Sequence, residues 1–322
     1  MNHFTTYNRT VIEWLLLAYF SDQGQTFLST PSLAPRSETV LISPAALPTK
    51  SVEKLEPKLL ADPDLAVYAQ DLGSGKMLFK KSSQKSQPIA SLTKIMTYLV
   101  IREENDLDEI VTVPLVATQT EGAKAGLYAY EKLSVRTLLE ALLIPSGNDA
   151  AVALAVHNAG TEDDFVVKMN QKAAQLGLKS AEFFNASGLD IFEVVCSDED
   201  CDEVLDESVF GNVMSAQDMA LMARVALQDS FFRNTVAKSE FYGTSTDGEF
   251  VHQKASTNQL LGTFVNSKGV KTGFTGLAGQ CLVNLSEDED GQEILTVVLG
   301  SSDRFGETKN LLTWIWDSFV WR

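Results

Sequence analysis

Strand patterns lie at both ends of the chain, and helical patterns lie between them. Near the start, Leu65–Asp71 alternates in polarity, Gly73-Ser74-Gly75 predicts a turn, and Lys76–Lys80 predicts the returning strand. Further strands are predicted after Gly243, at Glu249–His252, Gly269–Thr272, Leu277–Leu285 and Glu293–Leu299. We therefore expect an α+β fold, with one sheet built from both chain ends and a helical subdomain inserted between them.

The middle of the chain has the 3.6-residue apolar period of amphipathic helices. Ser134, Thr161 and Ser215 are predicted N-caps, because each precedes such a period and favours a helix start. The predicted helices are Ile89–Arg102, a helix from Ser134 to Pro145, Asp149–Gly160, a helix from Thr161 to Gly177, a helix beginning at Ser215, and Thr308–Val320.

Residues 1–60 differ from the rest and are expected to form a tail, with ordered structure beginning near Asp64. The apolar stretch Thr10–Phe20 is shorter than the roughly 20 residues that span a bilayer. Its length suits a secretory signal, but Arg9 is the only lysine or arginine before it and Ser21-Asp22-Gln23 is a poor cleavage site. A degenerate export signal and an ordinary helical tail both remain open, followed by a tether rich in Ser, Pro and Thr.

Charge and metal-binding residue types exclude several functions. Lys and Arg number 26 against 43 Asp and Glu, so the net charge of −17 disfavours binding to a nucleic-acid backbone. The three histidines are too scattered for an HExxH site, and the three cysteines fit no zinc pattern. The sequence thus predicts no metal and no cofactor.

Serine–lysine pairs of the form S-x-x-K occur at Ser51–Lys54, Ser82–Lys85 and Ser91–Lys94. Only Ser91–Lys94 opens a convincing helix, where a spacing of three places both side chains on one face. A lysine can activate a serine nucleophile when burial or a nearby cation, here Lys271, lowers its pKa. An isolated match of this kind is more often a surface serine beside a solvated lysine.

Two further short motifs follow along the chain. Ser146-Gly147-Asn148 links two helices, and Lys271-Thr272-Gly273 ends a predicted strand and precedes Phe274. A glycine at a strand end lets a ligand reach the edge, where an extended peptide can pair with the backbone. Taken singly, these motifs are most simply an interhelical turn and a strand end.

The order S-x-x-K, S-x-N, K-T-G is typical of class A β-lactamases and penicillin-binding proteins. From about Asp64 to Val320, the chain most resembles the serine D-alanyl-D-alanine carboxypeptidases of peptidase family S11, the low-molecular-mass penicillin-binding proteins. The segments that carry the resemblance are Ile89–Thr97, Leu142–Ala151, Asn185–Asp190, Ser215–Ala220, Val270–Thr275, Arg304–Glu307 and Leu311–Trp314.

The resemblance implies a β-lactamase/DD-peptidase-like fold and a role for each matching residue. Ser91 would be the acylated nucleophile, Lys94 its base, and Ser146 with Lys271 a relay toward the leaving amine. The implied substrate-binding residues are Asn148 for the peptide backbone, Gly273 and Phe274 at the strand edge, and Thr272 and Arg304 for the terminal carboxylate. The backbone N–H groups of Ser91 and Phe274 would form the oxyanion hole.

The implied activity is removal of the terminal D-alanine from peptidoglycan stem peptides in the bacterial cell envelope, outside the cytoplasm, with inhibition by β-lactams. The expected catalytic domain is 61–322, without the family's usual second β-rich domain and anchoring helix, and membrane contact stays open. A DD-endopeptidase, a β-lactamase, or a non-catalytic module that binds penicillin or peptidoglycan are the alternatives. A β-lactamase is disfavoured because Ser180–Asp190 contains only one glutamate, Glu182, and no E-x-x-L-N pattern.

Relative to the family that the chain resembles, Glu193–Glu207 looks like an insertion between Asp190 and Ser215. Eight of its residues are acidic and none is basic. Self-repulsion predicts an extended, solvated loop. A Cys196–Cys201 disulfide is the favoured reading in an oxidising compartment, which would leave Cys281 as a free thiol in a core strand. A weak calcium site or two reduced cysteines are the competing readings.

Overall fold

The computed structural model describes residues 48–50, 57, 62–196, 204–262 and 266–321. The strands are β1 (Pro48–Lys50), β2 (Ala66–Asp71), β3 (Met77–Lys81), β4 (Gln87–Pro88), β5 (Ile110–Thr112), β6 (Lys132–Ser134), β7 (Ile191–Cys196), β8 (Val204–Phe210), β9 (Val213–Met214), β10 (Glu240–Thr244), β11 (Val251–Ala255), β12 (Ser267–Thr275), β13 (Gly279–Glu287), β14 (Glu293–Ser301) and β15 (Phe319–Trp321). The helices are α1 (Lys94–Glu104), α2 (Leu115–Thr118), α3 (Val135–Leu143), α4 (Asn148–Ala159), α5 (Glu162–Gln175), α6 (Ala216–Ala226), α7 (Ser230–Val236) and α8 (Arg304–Ser318). None of these helices is both long and apolar enough to cross a lipid bilayer.

The main sheet joins the two ends of the chain, as the sequence predicts. Its strand order is β12-β13-β14-β2-β3, and every neighbouring pair is antiparallel. The N-terminal hairpin enters through β2, which pairs with β14 from Ile294 opposite Asp71 to Leu299 opposite Ala66. This arrangement, with helices between the strand-forming segments, confirms the α+β prediction and leaves β12 at an edge of the sheet.

The sheet is buried on both faces, because residues of β2 pack into two different hydrophobic cores. Ala66 belongs to the larger hydrophobic core, whereas Val67 and Ala69 pack with the smaller core that contains Leu311 and Leu312 of α8. Side chains alternate between the faces of a strand, so one short apolar run serves both layers. Each fully buried leucine of this kind contributes about 1.5–3 kcal/mol.

The three predicted N-caps are confirmed. In each case the cap hydroxyl accepts a hydrogen bond from the backbone amide three residues later: Ser134 from Thr137 at 3.2 Å, Thr161 from Asp164 at 3.1 Å, and Ser215 from Asp218 at 3.2 Å. Such a bond satisfies a backbone amide that has no partner inside the helix.

The helix that the sequence predicts from Ile89 begins later. Ala90–Thr93 form a 3-10 turn, and the α-helix starts at Lys94. Ala90 has a φ of +48°, a left-handed conformation that an α-helix cannot contain. Ser91 therefore lies in the tight turn before α1 and not within the helix.

The chain ends also differ from expectation. The last helix begins at Arg304 and not at Thr308, because the Asp303 side chain caps it by accepting from Gly306 N at 2.9 Å. It stops at Ser318, and the following residues form β15, which pairs with β1. A strand at Pro48–Lys50 corrects the expectation that ordered structure begins near Asp64.

The acidic insertion is framed by a β-ribbon, whereas a solvated loop was expected. Its flanks, β7 and β8, pair antiparallel from Ile191 opposite Phe210 to Cys196 opposite Val204. Residues 197–203, with Cys201, lie outside the described residues, and Cys196 is described in its backbone alone. The Cys196–Cys201 disulfide therefore stays a prediction.

Gly188 holds the 185–190 loop against the turn that carries Ser91, and this contact can be tested. A Cβ at Gly188 would lie 2.0 Å from the Ala90 carbonyl oxygen, whereas a Cβ at Gly160 meets nothing within 4 Å. Their φ angles are nearly equal, +85° and +86°. We expect Gly160→Ala to cost about 1–2 kcal/mol of unfolding free energy, from backbone strain alone. Gly188→Ala should cost about 3 kcal/mol more, because it adds a backbone clash.

Urea unfolding of the two variants measures this difference, and circular dichroism shows whether each retains its fold. Equal destabilisation by the two substitutions would contradict the close approach of Gly188 to Ala90.

Candidate active site

The Ser91 and Lys94 side chains meet where the 3-10 turn becomes α1. The Lys94 Nζ lies 2.9 Å from the Ser91 Oγ, so the predicted pairing of these residues is present. The turn places Ser91 at the end of α1 from which the first backbone amides project. A helix N-terminus favours negative charge, which suits a developing oxyanion at this position.

Lys94 has three hydrogen-bond partners and no exposure to solvent. Besides Ser91, its Nζ contacts the Asn148 Oδ1 and the Ser187 carbonyl oxygen, each at 2.7 Å. A neutral amine has two N–H groups and one lone pair, and both of these oxygens can only accept. The two N–H groups are thereby committed to Asn148 and Ser187. The lone pair remains for the Ser91 hydroxyl, the one partner that can donate a proton.

Burial makes the neutral form of Lys94 accessible near pH 7. It lowers the pKa of this lysine from 10.5 to about 7, although the nearby Asp149 carboxylate opposes the shift. The pKa of Lys271 is also lowered well below its usual value, first by burial and then by the positive charges of Lys94 and Arg304. A positive charge on Lys94 therefore disfavours the charged state of Lys271.

Ser146 and Lys271 form the second serine–lysine contact of the site. The Lys271 Nζ donates to the Ser146 Oγ at 2.7 Å and to the Thr272 carbonyl oxygen at 2.9 Å. Ser146 has a φ of +64°, a conformation that costs a non-glycine residue about 1–3 kcal/mol. Ser146 lies in the turn between α3 and α4, and its side chain contacts Lys271 of β12. The strained backbone is therefore found where the two motifs meet.

Gly273 brings the edge strand β12 close to the nucleophile. A Cβ at this position would lie 3.1 Å from the Ser91 backbone N, so a larger residue would crowd the turn. Phe274 follows at the strand edge with 66% of its surface exposed. The edge of β12 therefore borders the space in front of Ser91.

Arg304 is the first residue of α8, and its side chain contacts β12. Its Nη1 donates to the Gly273 carbonyl oxygen at 2.7 Å, and its guanidinium lies over the Phe305 ring, 4.8 Å from the centroid. Its Nε is buried and has no hydrogen-bond partner among the described residues. A fixed guanidinium with spare donors is suited to a planar anion such as a carboxylate.

Asp149 clamps the loop that borders Asn148. Its two carboxylate oxygens accept hydrogen bonds from the backbone amides of Ala125, Gly126 and Leu127, at 2.8–3.0 Å. The same loop supplies the Glu121 carbonyl oxygen, which accepts from the Asn148 Nδ2 at 2.6 Å. The Asn148 side chain is thus fixed at both ends, through its Oδ1 and its Nδ2.

Comparison with known proteins identifies the family. The sequence profile described as D-alanyl-D-alanine carboxypeptidase, peptidase family S11, matches residues 56–303. The chain belongs to this family. The D-alanyl-D-alanine carboxypeptidase DacF of Bacillus subtilis (strain 168) is 36% identical over 71% of this chain and 55% of its own length. DacC of Escherichia coli (strain K12), also a D-alanyl-D-alanine carboxypeptidase, is 31% identical over 76% of this chain and 59% of its own length.

The solved structures agree with this assignment. The Streptomyces K15 DD-transpeptidase has a TM-score of 0.69 to this S11-family chain, at 26% identity, over 82% of this chain and all of its own. The DD-peptidase-like fold predicted from the motifs is therefore confirmed. The chain spans somewhat more than half the length of the two curated relatives above.

The residues predicted from the three motifs converge in this S11-family fold. Hydrogen bonds connect Ser91, Lys94 and Asn148 in one group and connect Ser146, Lys271 and the Thr272 backbone in another. Arg304 is bonded to Gly273, next to Thr272 and Phe274. Cys281 is a buried free thiol, as expected for a core strand.

Sequence reasoning missed other groups of the site. The Ser187 carbonyl oxygen, the Glu121 carbonyl oxygen and the Asp149 carboxylate were assigned no role, although they hold Lys94, Asn148 and the bordering loop. For Ser187 a signal existed, because it lies in the Asn185–Asp190 segment that resembles the family. Asp149 was named only as the start of the predicted helix Asp149–Gly160.

The Asp149 clamp generates a stability prediction. In Asp149→Asn one acceptor oxygen becomes an NH₂ group that faces backbone N–H donors, so at least one buried amide loses its partner. We expect a loss of about 2–4 kcal/mol in unfolding free energy. Asp108→Asn is the matched control, because Asp108 is 88% exposed in its ion pair with Arg136. It should change the stability by about 0.5 kcal/mol or less.

Chemical denaturation measures both variants, and amide hydrogen exchange at Ala125–Leu127 shows whether the loop is released. Wild-type protection of these amides in Asp149→Asn would show that the carboxylate does not hold the loop.

Proposed function

We propose that this chain is a serine D-alanyl-D-alanine carboxypeptidase that removes the terminal D-alanine of peptidoglycan stem peptides. One observation carries the proposal. Lys94 is buried with its N–H groups committed to two acceptors, which directs its lone pair at the Ser91 hydroxyl. Membership of the S11 family supports the same reaction.

The proposed reaction proceeds through an acyl-enzyme. Neutral Lys94 takes the hydroxyl proton as the Ser91 Oγ attacks the carbonyl carbon between the two D-alanines, and the backbone N–H groups of Ser91 and Phe274 stabilise the oxyanion. The C–N bond then breaks, and Ser146 with Lys271 delivers a proton to the amine of the departing D-alanine. Water hydrolyses the resulting ester and restores the free Ser91 hydroxyl.

The other end of the site is suited to a free carboxylate. Thr272 offers a hydroxyl, and Arg304 offers a guanidinium that its hydrogen bond to the Gly273 carbonyl oxygen holds in place. We assign both to the C-terminal carboxylate of the peptide, and Asn148 to its backbone. This assignment favours a carboxypeptidase over an endopeptidase, whose substrate continues beyond the cleaved bond.

The alternatives have less support. A class A β-lactamase needs a glutamate that activates the deacylating water, but Glu182 is exposed and its backbone bridges Val213. A module that only binds peptidoglycan, without acylation, would not require the Lys94 geometry. We infer that β-lactams acylate Ser91, and that the enzyme acts in the bacterial cell envelope, outside the cytoplasm, where its substrate lies.

Two assays test the proposal together. A labelled penicillin should form a covalent adduct that peptide mapping places on Ser91, and a pentapeptide ending in D-Ala-D-Ala should release D-alanine. Ser91→Ala should lose both activities while retaining its fold. A stable penicillin adduct without D-alanine release would favour a non-catalytic module that binds penicillin, and the absence of any adduct would exclude the serine acyl-enzyme.

The Lys94 pKa predicts how acylation depends on pH. A general base acts in its unprotonated form, and the pKa of Lys94 is about 7. The second-order rate constant for penicillin acylation should therefore rise about tenfold per pH unit below pH 6 and level off above about pH 8. A rate constant that is flat from pH 5 to 8 would contradict the role of Lys94.

Lys94→Ala should slow acylation about 100- to 10,000-fold and remove this pH dependence. Lys85→Ala is the matched control, because Lys85 belongs to another S-x-x-K match and forms an exposed ion pair with Asp64. It should acylate at the wild-type rate.

The role of Arg304 predicts a preference for acid substrates. Arg304→Lys keeps the charge but loses the planar fork, and we expect kcat/KM for the peptide acid to fall about 10- to 100-fold. The corresponding peptide amide should change little. Equal losses on acid and amide would indicate that Arg304 only supports β12 through Gly273.

A further inference from the structure

A residue outside the three motifs contacts one of them. Thr257 is the middle residue of Ser256-Thr257-Asn258. This segment has the same S-x-N form as Ser146-Gly147-Asn148, and the proposed reaction does not use it. Its Oγ1 lies 2.5 Å from the Oγ1 of Thr272, and either oxygen can be the donor. Thr257 is half-buried and Thr272 is almost fully buried.

Backbone contacts on both sides fix the position of Thr257. Its own amide donates to the Ile144 carbonyl oxygen at 3.3 Å, two residues before Ser146. The Ser256 amide donates to the Ser239 carbonyl oxygen at 2.8 Å, and the Asn258 Oδ1 accepts from Leu260 N at 3.0 Å. Thr257 is thus anchored beside the Ser146 turn while its hydroxyl faces β12.

The direction of the hydroxyl pair decides what Thr272 can offer a ligand. Each hydroxyl has one proton. If Thr272 donates to Thr257, its proton is used and its oxygen would repel a carboxylate. If Thr257 donates to Thr272, the Thr272 proton is free to point at a ligand anion. Binding of a carboxylate therefore selects the arrangement in which Thr257 is the donor.

We propose that Thr257 is a positioning residue that gives this site its selectivity for peptides with a free C-terminal carboxylate. It acts through Thr272: by donating to the Thr272 Oγ1 it turns the Thr272 proton toward the carboxylate. The inference rests on the proposed function, because it assumes that Thr272 contacts the terminal carboxylate of the substrate.

Thr257→Val and Thr257→Ser test this role. Valine keeps the shape of threonine without the hydroxyl, and serine keeps the hydroxyl. Thr257→Val should raise KM for the peptide acid about five- to tenfold, with kcat and the values for the peptide amide nearly unchanged. Thr257→Ser should restore most of the acid-to-amide preference. Thr244→Val, at an exposed position of β10, is the matched control and should behave as wild type.

A double-mutant cycle shows whether Thr257 acts through Thr272. If it does, Thr257→Val adds almost nothing in a Thr272→Val background. Independent, multiplicative losses would mean that Thr257 binds the substrate itself, which would overturn the positioning role. Equal losses on acid and amide, with a lower urea midpoint, would show that the residue is only structural.

Peptide binding to inactive protein separates this inference from the proposed function. In a Ser91→Ala background, calorimetry should show that the acid peptide binds more tightly than the amide, and that Thr257→Val reduces the difference about five- to tenfold. If the wild type releases no D-alanine, the proposed function is refuted. The ratio of the affinities for the acid and amide peptides still tests the role of Thr257. An unchanged ratio would overturn the inference.

Discussion

The proposed chemistry of this protein depends on two lysine side chains that are almost completely removed from water, Lys94 and Lys271. An ammonium group in such a place lacks hydration, so burial lowers the pKa of both lysines and favours the neutral amine. The neutral amine still needs acceptors for its N–H groups, which Asn148, Ser187 and the Thr272 carbonyl provide. The surrounding loops therefore stabilise the neutral form of the lysines and also position the serines.

The fold supplies this burial because the two chain ends share one sheet. The β2–β14 pairing joins the N-terminal hairpin to the C-terminal strands and leaves β12 as an edge beside the turn that carries Ser91. Gly273 allows the close approach, and Gly188 seats the 185–190 loop against the same turn. One edge strand, one helix start and one interhelical turn thus enclose both lysines, although they are distant in sequence.

Most regular elements and the motif residues could be predicted because their signals are local. The caps at Ser134, Thr161 and Ser215 could be predicted because each hydrogen bond joins residues only three positions apart. The helix α7 was missed because seven residues show too little of a 3.6-residue period. The ribbon around the acidic insertion was missed because its dense negative charge was taken to predict a solvated loop. The start of α1 was misplaced because nothing in an alanine signals the positive φ of Ala90.

The sequence by itself determined the strand–helix–strand order, the family and the side chains to which the chemistry is assigned, because these depend on residue type and spacing. Only the tertiary structure decided which groups surround them. Ser187 acts through a backbone carbonyl, which every residue has, and Asp149 holds amides more than twenty positions away. Thr257 meets Thr272 only because the Ser146 turn and β12 are packed together. Contacts of this kind arise from the packing of distant segments, which a local sequence pattern does not reveal.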